Sequence, residues 1–203
     1  MPVVITEAPS IPIPLAPPRK RWTRYECDQL ASTGLLDLAE LELIEGELIS
    51  TMGKKRPHII VEGGLTMWIA EVFGLLFLQV DGTIDVSPED NPTNEPMPDF
   101  VVLNRSFKEI RSSHTKPEDI RLLIEVSDST VQFDRTTKAR LYARAGIVEY
   151  WIIDINSRKV IVHRAPDAGI YTSVVAYAEN EPIAPLAAAH AEFRAVTVLP
   201  DLE

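Results

Sequence analysis

The chain reads Pro98-Asp-Phe-Val-Val-Leu103, then Leu122-Leu-Ile-Glu-Val-Ser127, and later Glu149-Tyr-Trp-Ile-Ile-Asp154. These runs are apolar enough to form buried strands, yet two of them carry the acids Asp99 and Glu125. Burying a carboxylate is costly unless it is paired with a cation or bound to a metal. Lys138 follows the second run in a predicted helix. Two acids and one lysine in this arrangement point to a metal site.

The elements around this stretch predict an α/β fold with a mixed sheet flanked by helices. A helix over 58–73 precedes strands at 75–86 and 99–103, the first bent at Asp81-Gly82. A strand over 120–126, a helix over 135–145 capped by Asp134, and a strand over 150–155 follow. This strand–helix–strand order favours a right-handed crossover between parallel strands. An antiparallel meander is then predicted over 159–178.

The flanking regions add smaller elements. Thr23 and Glu26 have the spacing of a capping box, which predicts a helix to about residue 32. Glu45-Gly46 predicts a hairpin with strands near 41–44 and 47–51. A short helix near 106–111 and a last strand near 195–199 are also expected. The proline-rich residues 1–21 are expected to be flexible, and residues 22–203 to form one domain.

Composition limits the functional classes. A single cysteine, Cys27, excludes an internal disulfide framework and fits a reducing compartment. No secretory signal is evident, and the apolar region around 67–80 is too short to span a bilayer, so we expect a cytoplasmic protein without membrane contact. The net charge of −10 disfavours long-range attraction to nucleic acid. Lys54, Lys55 and Arg56 form the best candidate phosphate contact, or else a solvated basic loop.

The chemistry expected of the acids is magnesium binding. Mg²⁺ is held by one or two carboxylates together with waters and phosphate oxygens. Asp99 and Glu125 can converge if their strands are neighbours, and Lys138 can return over the strand end to orient a water or stabilise a phosphate. The alternative is structural: Asp99 ends a loop, Glu125 pairs with Lys138, and Asp134 with Lys138 forms a surface pair.

The same residues resemble a known family. The strings that carry the resemblance are Pro98-Asp99, 123–130, Asp134-Arg135, Lys138, Tyr142-Ala143, Gly146 and 149–154, with 42–49 and His58 upstream. They are similar to a family of restriction endonucleases within the PD-(D/E)XK nuclease superfamily, over roughly residues 22–180. The resemblance implies a restriction-endonuclease-like fold, metal-dependent phosphodiester hydrolysis, and an acidic pair at Asp99 and Glu125.

One position departs from the superfamily pattern. Ser127 stands two residues after Glu125, where a lysine is expected, and the resemblance implies that Lys138 on the following helix supplies it. A fourth, acidic position on the first core helix has no secure counterpart. Glu62 is the geometric candidate, with His58 and Glu45 as rivals, and Asp85 is a further candidate metal ligand. For His58, a capping or structural role is the alternative.

Two functions remain open. The first is an endonuclease that uses Mg²⁺ or Mn²⁺ to hydrolyse DNA, with Asp99 and Glu125 on the metal and Lys138 assisting. The second is a catalytically inactive nuclease-fold module that binds nucleic acid or a protein partner, which the acidic charge and Ser127 favour. The resemblance also makes a homodimer an expectation, because two copies reach both strands of DNA.

Overall fold

The computed structural model describes residues 19–38, 41–50, 53–110 and 114–201. Most of the proline-rich N-terminus, residue 51 of the predicted hairpin and residue 111 of the predicted short helix lie outside these ranges. The helices are α1 (Arg24–Ser32), α2 (Arg56–Phe73) and α3, in which Val131–Phe133 and Ala139–Arg144 are α-helical and Asp134–Lys138 between them has π geometry.

The strands are β1 (Leu41–Ile44), β2 (Glu47–Ser50), β3 (Leu78–Val80), β4 (Phe100–Leu103), β5 (Ile120–Ser127), β6 (Glu149–Asp154), β7 (Lys159–Asp167) and β8 (Ile170–Ala178). Short 3-10 turns occur at Leu75–Phe77, Asn91–Thr93, Pro117–Asp119, Leu186–Ala188 and Ala195–Thr197.

Six strands form one mixed sheet in the order β3-β4-β5-β6-β7-β8. Strands β5 and β6 are parallel, and every other neighbouring pair is antiparallel. The predicted α/β class, the parallel pair around α3 and the terminal meander are therefore confirmed. β1 and β2 form a separate hairpin, and Glu95 bridges β1 at Leu43.

The sheet is buried on both faces, as expected for strands that read as continuous apolar runs. On one face, α2 packs Val61, Leu65 and Ile69 against a core that includes Trp151. On the other face, α3 packs Ala139, Tyr142 and Ala143 against side chains of β4 to β8. The two helices therefore approach the β4–β5 pair from opposite sides.

Local residue chemistry explains where several of the helices and turns begin. Thr23 and Glu26 form the reciprocal capping box at the start of α1. The β1–β2 turn uses Glu45 and Gly46, both with positive φ (52° and 75°), as the tight two-residue turn requires. Pro57 occupies the first turn of α2, where its missing N–H is tolerated, so this helix begins two residues earlier than predicted.

Four predictions are wrong. Residues 83–86 are not a strand, since only Ile84 makes an isolated bridge. The predicted last strand is the 3-10 turn Ala195–Thr197, in which Val198 N donates to the Ala195 carbonyl. Residues 107–109 form a turn instead of a helix. Asp134 does not cap α3, because the helix already begins at Val131. The Asp134 side chain is buried within the fold.

Candidate metal centre

Asp99 lies directly before β4, at the point where this strand meets β5. The register pairs Phe100 with Ile124, so its continuation sets Asp99 opposite Glu125. The Val126 amide donates a hydrogen bond of 2.7 Å to Asp99 Oδ2. The two acids are thus positioned by neighbouring strands, and a backbone hydrogen bond fixes the Asp99 carboxylate beside the Glu125 residue.

Glu125 faces α3, where it belongs to a group that we name the α3 cluster: Glu42, Glu125, Lys138 and Tyr142. Lys138 Nζ lies 2.9 Å from Glu125 Oε1 and 2.9 Å from Glu42 Oε2. The Tyr142 hydroxyl donates to the same Glu125 oxygen at 2.8 Å. All four residues are buried. The α3 cluster is a closed, dry arrangement of two carboxylates around one ammonium.

The π segment of α3 accounts for the position of Lys138. The sequence predicts Lys138 in the first helical turn, but it ends the π segment, well inside the helix. Asp134 anchors this segment by accepting hydrogen bonds from Ser127 Oγ (2.6 Å) and Thr130 Oγ1 (2.7 Å). π-segments of this kind are frequent at functional sites. Ser127, two residues after Glu125, therefore helps to anchor the helix that carries Lys138.

The α3 cluster contains two carboxyl groups and one ammonium, and burial disfavours the charged form of each. Burial raises the pKa of Glu125 well above its usual range, although the Lys138 charge opposes the shift. Burial likewise raises the pKa of Glu42 against the opposing charge of Lys138. Burial disfavours the ammonium of Lys138 too, but Glu125 and Glu42 outweigh this and raise its pKa. One ammonium thus serves two buried carboxylates.

Asp99 faces α2 and belongs to a second group, which we name the α2 cluster: Lys54, His58, Glu62, Asp81 and Asp99. His58 Nε2 lies 3.3 Å from Asp99 Oδ1 and 3.4 Å from Glu62 Oε1. These three atoms lie within 4.8 Å of one another, close enough to share one metal ion. Lys54 Nζ contacts Glu62, Asp81 Oδ1 (2.6 Å) and Asp99 Oδ1 (3.3 Å).

The cations of the α2 cluster favour the ionised forms of Asp99 and Glu62. Burial alone would lower the pKa of His58, but hydrogen bonds with Asp99 and Glu62 raise it to about 9. Burial opposes ionisation of Asp99, yet its contact with His58 and the Val126 amide keep the pKa of Asp99 below its usual range. Glu62 is likewise held below its usual pKa by His58 and Lys54, against the effect of burial.

Two adjacent residues of β5, Glu125 and Val126, connect the two clusters. The amide of Val126 binds Asp99, while the side chain of the preceding residue, Glu125, enters the α3 cluster. Burial raises the pKa of Glu125, the Lys138 charge opposes this shift, and the Asp99 charge adds to it. Asp99 joins the His58–Glu62 group, whereas Glu125 lies in the α3 cluster beside Lys138.

The other predicted residues lie elsewhere. Glu45 sits at the β1–β2 turn and pairs with Arg144. Asp85 pairs with Arg24 Nη1 at 2.7 Å. Sequence reasoning did not assign Glu42, which lies on β1 and reaches Lys138 across 96 residues of chain. The sequence signals for it were its place in the string 42–49 that resembles the family and its position in a predicted strand beside Leu43 and Ile44.

Within the described residues, no helix is long and apolar enough to cross a membrane. No curated protein matches the chain. A solved structure with a similar fold is the crystal structure of a putative nuclease belonging to DUF820 from Anabaena variabilis ATCC 29413. The two are 16% identical, with a TM-score of 0.61 over 78% of this chain and 88% of the other.

The family model named Uma2 and described as "Putative restriction endonuclease" matches residues 28–198. This range includes β1 to β8, α2, α3 and all members of both clusters. The chain therefore belongs to the Uma2 family of restriction-endonuclease-like proteins.

Proposed function

We propose that this protein is a metal-dependent endonuclease that hydrolyses phosphodiester bonds of DNA. Asp99 and Glu125 hold Mg²⁺ or Mn²⁺, and Lys138 assists the reaction. The observation that carries this proposal is the pair of buried carboxylates that share one ammonium in the α3 cluster, next to the Val126 amide that binds Asp99. A divalent cation held by Asp99 and Glu125 would favour the ionised form of Glu125 against the effect of burial.

The donor set fits a hard cation. Carboxylate oxygens are the protein ligands that Mg²⁺ prefers. Glu42 Oε2 makes no hydrogen bond among the described residues, and its charged neighbour is Lys138 Nζ at 2.9 Å. This carboxylate oxygen therefore keeps a lone pair that a cation could use. The imidazole of His58, in contrast, suits Mn²⁺ or another transition metal better than Mg²⁺.

Each residue has a distinct task. Asp99 is held in place by the Val126 amide, and Glu125 by Lys138 and Tyr142, so neither carboxylate needs to reorganise for binding. Lys138 remains protonated and donates toward an attacking water or a phosphate oxygen. When bound, a divalent cation supplies a more acidic water and polarises the phosphate.

The α2 cluster lies closer to solvent and supports substrate binding. Lys54 has a third of its side chain exposed, and Arg56 at the start of α2 is exposed. Both belong to the basic run predicted to contact phosphate. Lys54 Nζ lies 3.3 Å from Asp99 Oδ1, so a phosphate bound by this basic run would lie close to Asp99. A homodimer would bring two such centres to the two strands of DNA, which sedimentation can test.

Plasmid relaxation with Mg²⁺ or Mn²⁺ tests the proposal. We expect wild-type protein to nick or linearise supercoiled DNA, and Glu125→Gln to lose at least about 100-fold in rate, because mutated metal or oxyanion-stabilising groups commonly cost this much. Glu71→Gln, on the exposed side of α2, is the matched control. Circular dichroism establishes that each variant is folded.

Equal cleavage by wild type and Glu125→Gln contradicts the proposal. Cleavage of single-stranded RNA but not of DNA overturns the substrate class while retaining the chemistry. Absence of cleavage together with absence of Mn²⁺ binding by calorimetry would leave the non-catalytic nuclease-fold module as the function.

A further inference from the structure

A pocket of about 190 Å³ lies between α3 and the β7–β8 pair, away from both clusters. Its walls include Arg135, Arg140, His163, Tyr171 and Val174. Its volume is below the roughly 300–1,000 Å³ typical of sites for drug-sized ligands. The pocket therefore suits a small ligand that can use two guanidinium groups.

The π segment of α3 places both arginines on this pocket. In a regular α-helix, side chains five residues apart diverge around the axis, whereas the wider π turn brings them toward one face. The Ala139 amide donates to the Asp134 carbonyl, which is the five-residue hydrogen bond of such a turn. Arg135 and Arg140 are also five apart and both line the pocket. The geometry that buries Lys138 on one side thus pairs two arginines on another.

Neither arginine is neutralised by a neighbouring acid. Among the residues that the structure describes, seven other arginines form ion pairs with carboxylates. Arg135 and Arg140 are exposed and make no ion pair with a described carboxylate, and no such pair is made by Arg21, Arg56 and Arg121 either. In a chain with 30 acidic and 20 basic residues, two unpaired guanidiniums over one cavity favour an anionic ligand.

The buried side of the pocket is a neutral histidine with an unused nitrogen. His163 is 3% exposed, stacks on Tyr150 at 5.2 Å between ring centroids, and packs edge-on against Tyr171. Burial lowers the pKa of His163 to about 4, against the effect of backbone hydrogen bonding with Ile161 and Tyr150, and the charge of Arg135 adds to the lowering. Its Nδ1 is buried without a hydrogen-bond partner. A buried polar nitrogen in this state can be satisfied by a ligand.

We propose that this pocket binds the phosphoryl group of a small phosphate monoester, with Arg135 and Arg140 as the anion ligands and His163 beneath them. Guanidinium groups match phosphate oxygens through paired, charge-assisted hydrogen bonds. The limited volume admits a phosphate with a small substituent and excludes a DNA duplex. The inference does not depend on the nuclease activity, because no member of either cluster lines the pocket.

Calorimetric titration of the full chain with inorganic phosphate, ribose 5-phosphate and adenosine 5′-monophosphate tests the proposal. We expect saturable binding of at least one of them, weakened at least tenfold in Arg140→Gln and in Arg135→Gln. Arg21→Gln removes the same charge at an exposed position of the N-terminal region and serves as the matched control. We expect it to bind as wild type does.

The three ligands distinguish the source of the phosphoryl group. Equal affinity for inorganic phosphate and both esters assigns the site to the free anion, and tighter binding of an ester assigns it to that ester. Ligand-dependent shifts of the His163 ring signals in NMR spectra would place the ligand in the pocket. No binding at millimolar concentrations, or equal weakening in Arg21→Gln, overturns the proposal.

Discussion

The α3 and α2 clusters place acids on opposite sides of one strand pair, and they differ in burial and in charge balance. In the α3 cluster, Lys138, Glu42 and Glu125 have side chains exposed by 7% or less. In the α2 cluster, Lys54 and Asp81 are exposed by 31% and 49%. The α3 cluster holds one cation for two acids, while the α2 cluster holds Lys54 and His58 for three.

This difference indicates different roles. A buried cluster with fixed hydrogen bonds holds its side chains in one arrangement before any ligand binds. A partly exposed cluster can release Lys54 or His58 when a metal or a phosphate approaches. Asp99 belongs to the α2 cluster and borders the α3 cluster through the Val126 amide.

The largest expected effect comes from removing the central cation of the α3 cluster. Lys138→Met leaves two buried carboxylates without a partner, so we expect the free energy of unfolding to fall by about 3–5 kcal/mol. Lys54→Met is the matched substitution in the α2 cluster, where exposed pairs contribute about 1 kcal/mol or less. Urea unfolding of both variants measures the difference. Equal losses would show that the clusters do not differ in burial energetics.

The second effect concerns how closely α2 is held against the fold. A Cβ added at Gly64 would lie 2.7 Å from Val198 Cγ1 and 3.1 Å from its Cα. Gly64→Ala should therefore push α2 outward, lower the free energy of unfolding by about 1–3 kcal/mol and weaken cleavage by displacing His58 and Glu62.

The adjacent glycine is the control for this close approach. Gly63 has no atom within 4 Å of an added Cβ, and it is exposed. Gly63→Ala should stabilise α2 by about 0.5–1 kcal/mol, because alanine loses less backbone entropy in a helix. Destabilisation of the same size in both variants, measured by urea unfolding, would contradict the packing argument.

The smallest effect is a pH dependence confined to the α2 cluster. The folded-state pKa of His58 is about 9, above its ordinary value of 6.5. Its stabilising contribution is therefore complete below pH 6.5 and is lost as the pH rises through 9. We expect the free energy of unfolding of metal-free protein to decline over this interval, and the decline to be smaller in His58→Gln. Parallel pH profiles would contradict the ion pairing of His58 with Asp99 and Glu62.

The sequence predicted the parts of the fold that depend on local pattern. Apolar runs identified β4, β5 and β6, turn chemistry identified Glu45-Gly46, and Gly146 marked the end of α3. The region after β3 was mispredicted, because Thr83–Val86 alternates like a strand but makes only one isolated bridge. Asp134 was mistaken for a cap, because a carboxylate before a helical pattern looks the same whether it bonds its own helix or Ser127.

Buried acids and the family pattern predict Asp99, Glu125 and Lys138 as site residues. The sequence did not predict that the structure divides these three residues between two clusters. The sequence around each residue does not show that Asp99 faces α2 while Glu125 faces α3. These orientations depend on two helices that pack on opposite faces of the sheet. Glu42 was missed as a partner of Lys138 for the same reason, because the contact spans 96 residues.

The central claim is that Asp99 and Glu125 hold the same metal ion across the boundary of the two clusters. Anomalous diffraction from a crystal of the wild-type protein soaked in Mn²⁺ tests it most directly. We predict one strong peak within coordination distance, about 2.0–2.6 Å, of carboxylate oxygens of both residues. A peak bound only by His58, Glu62 and Asp99, with Glu125 still paired to Lys138, would contradict it.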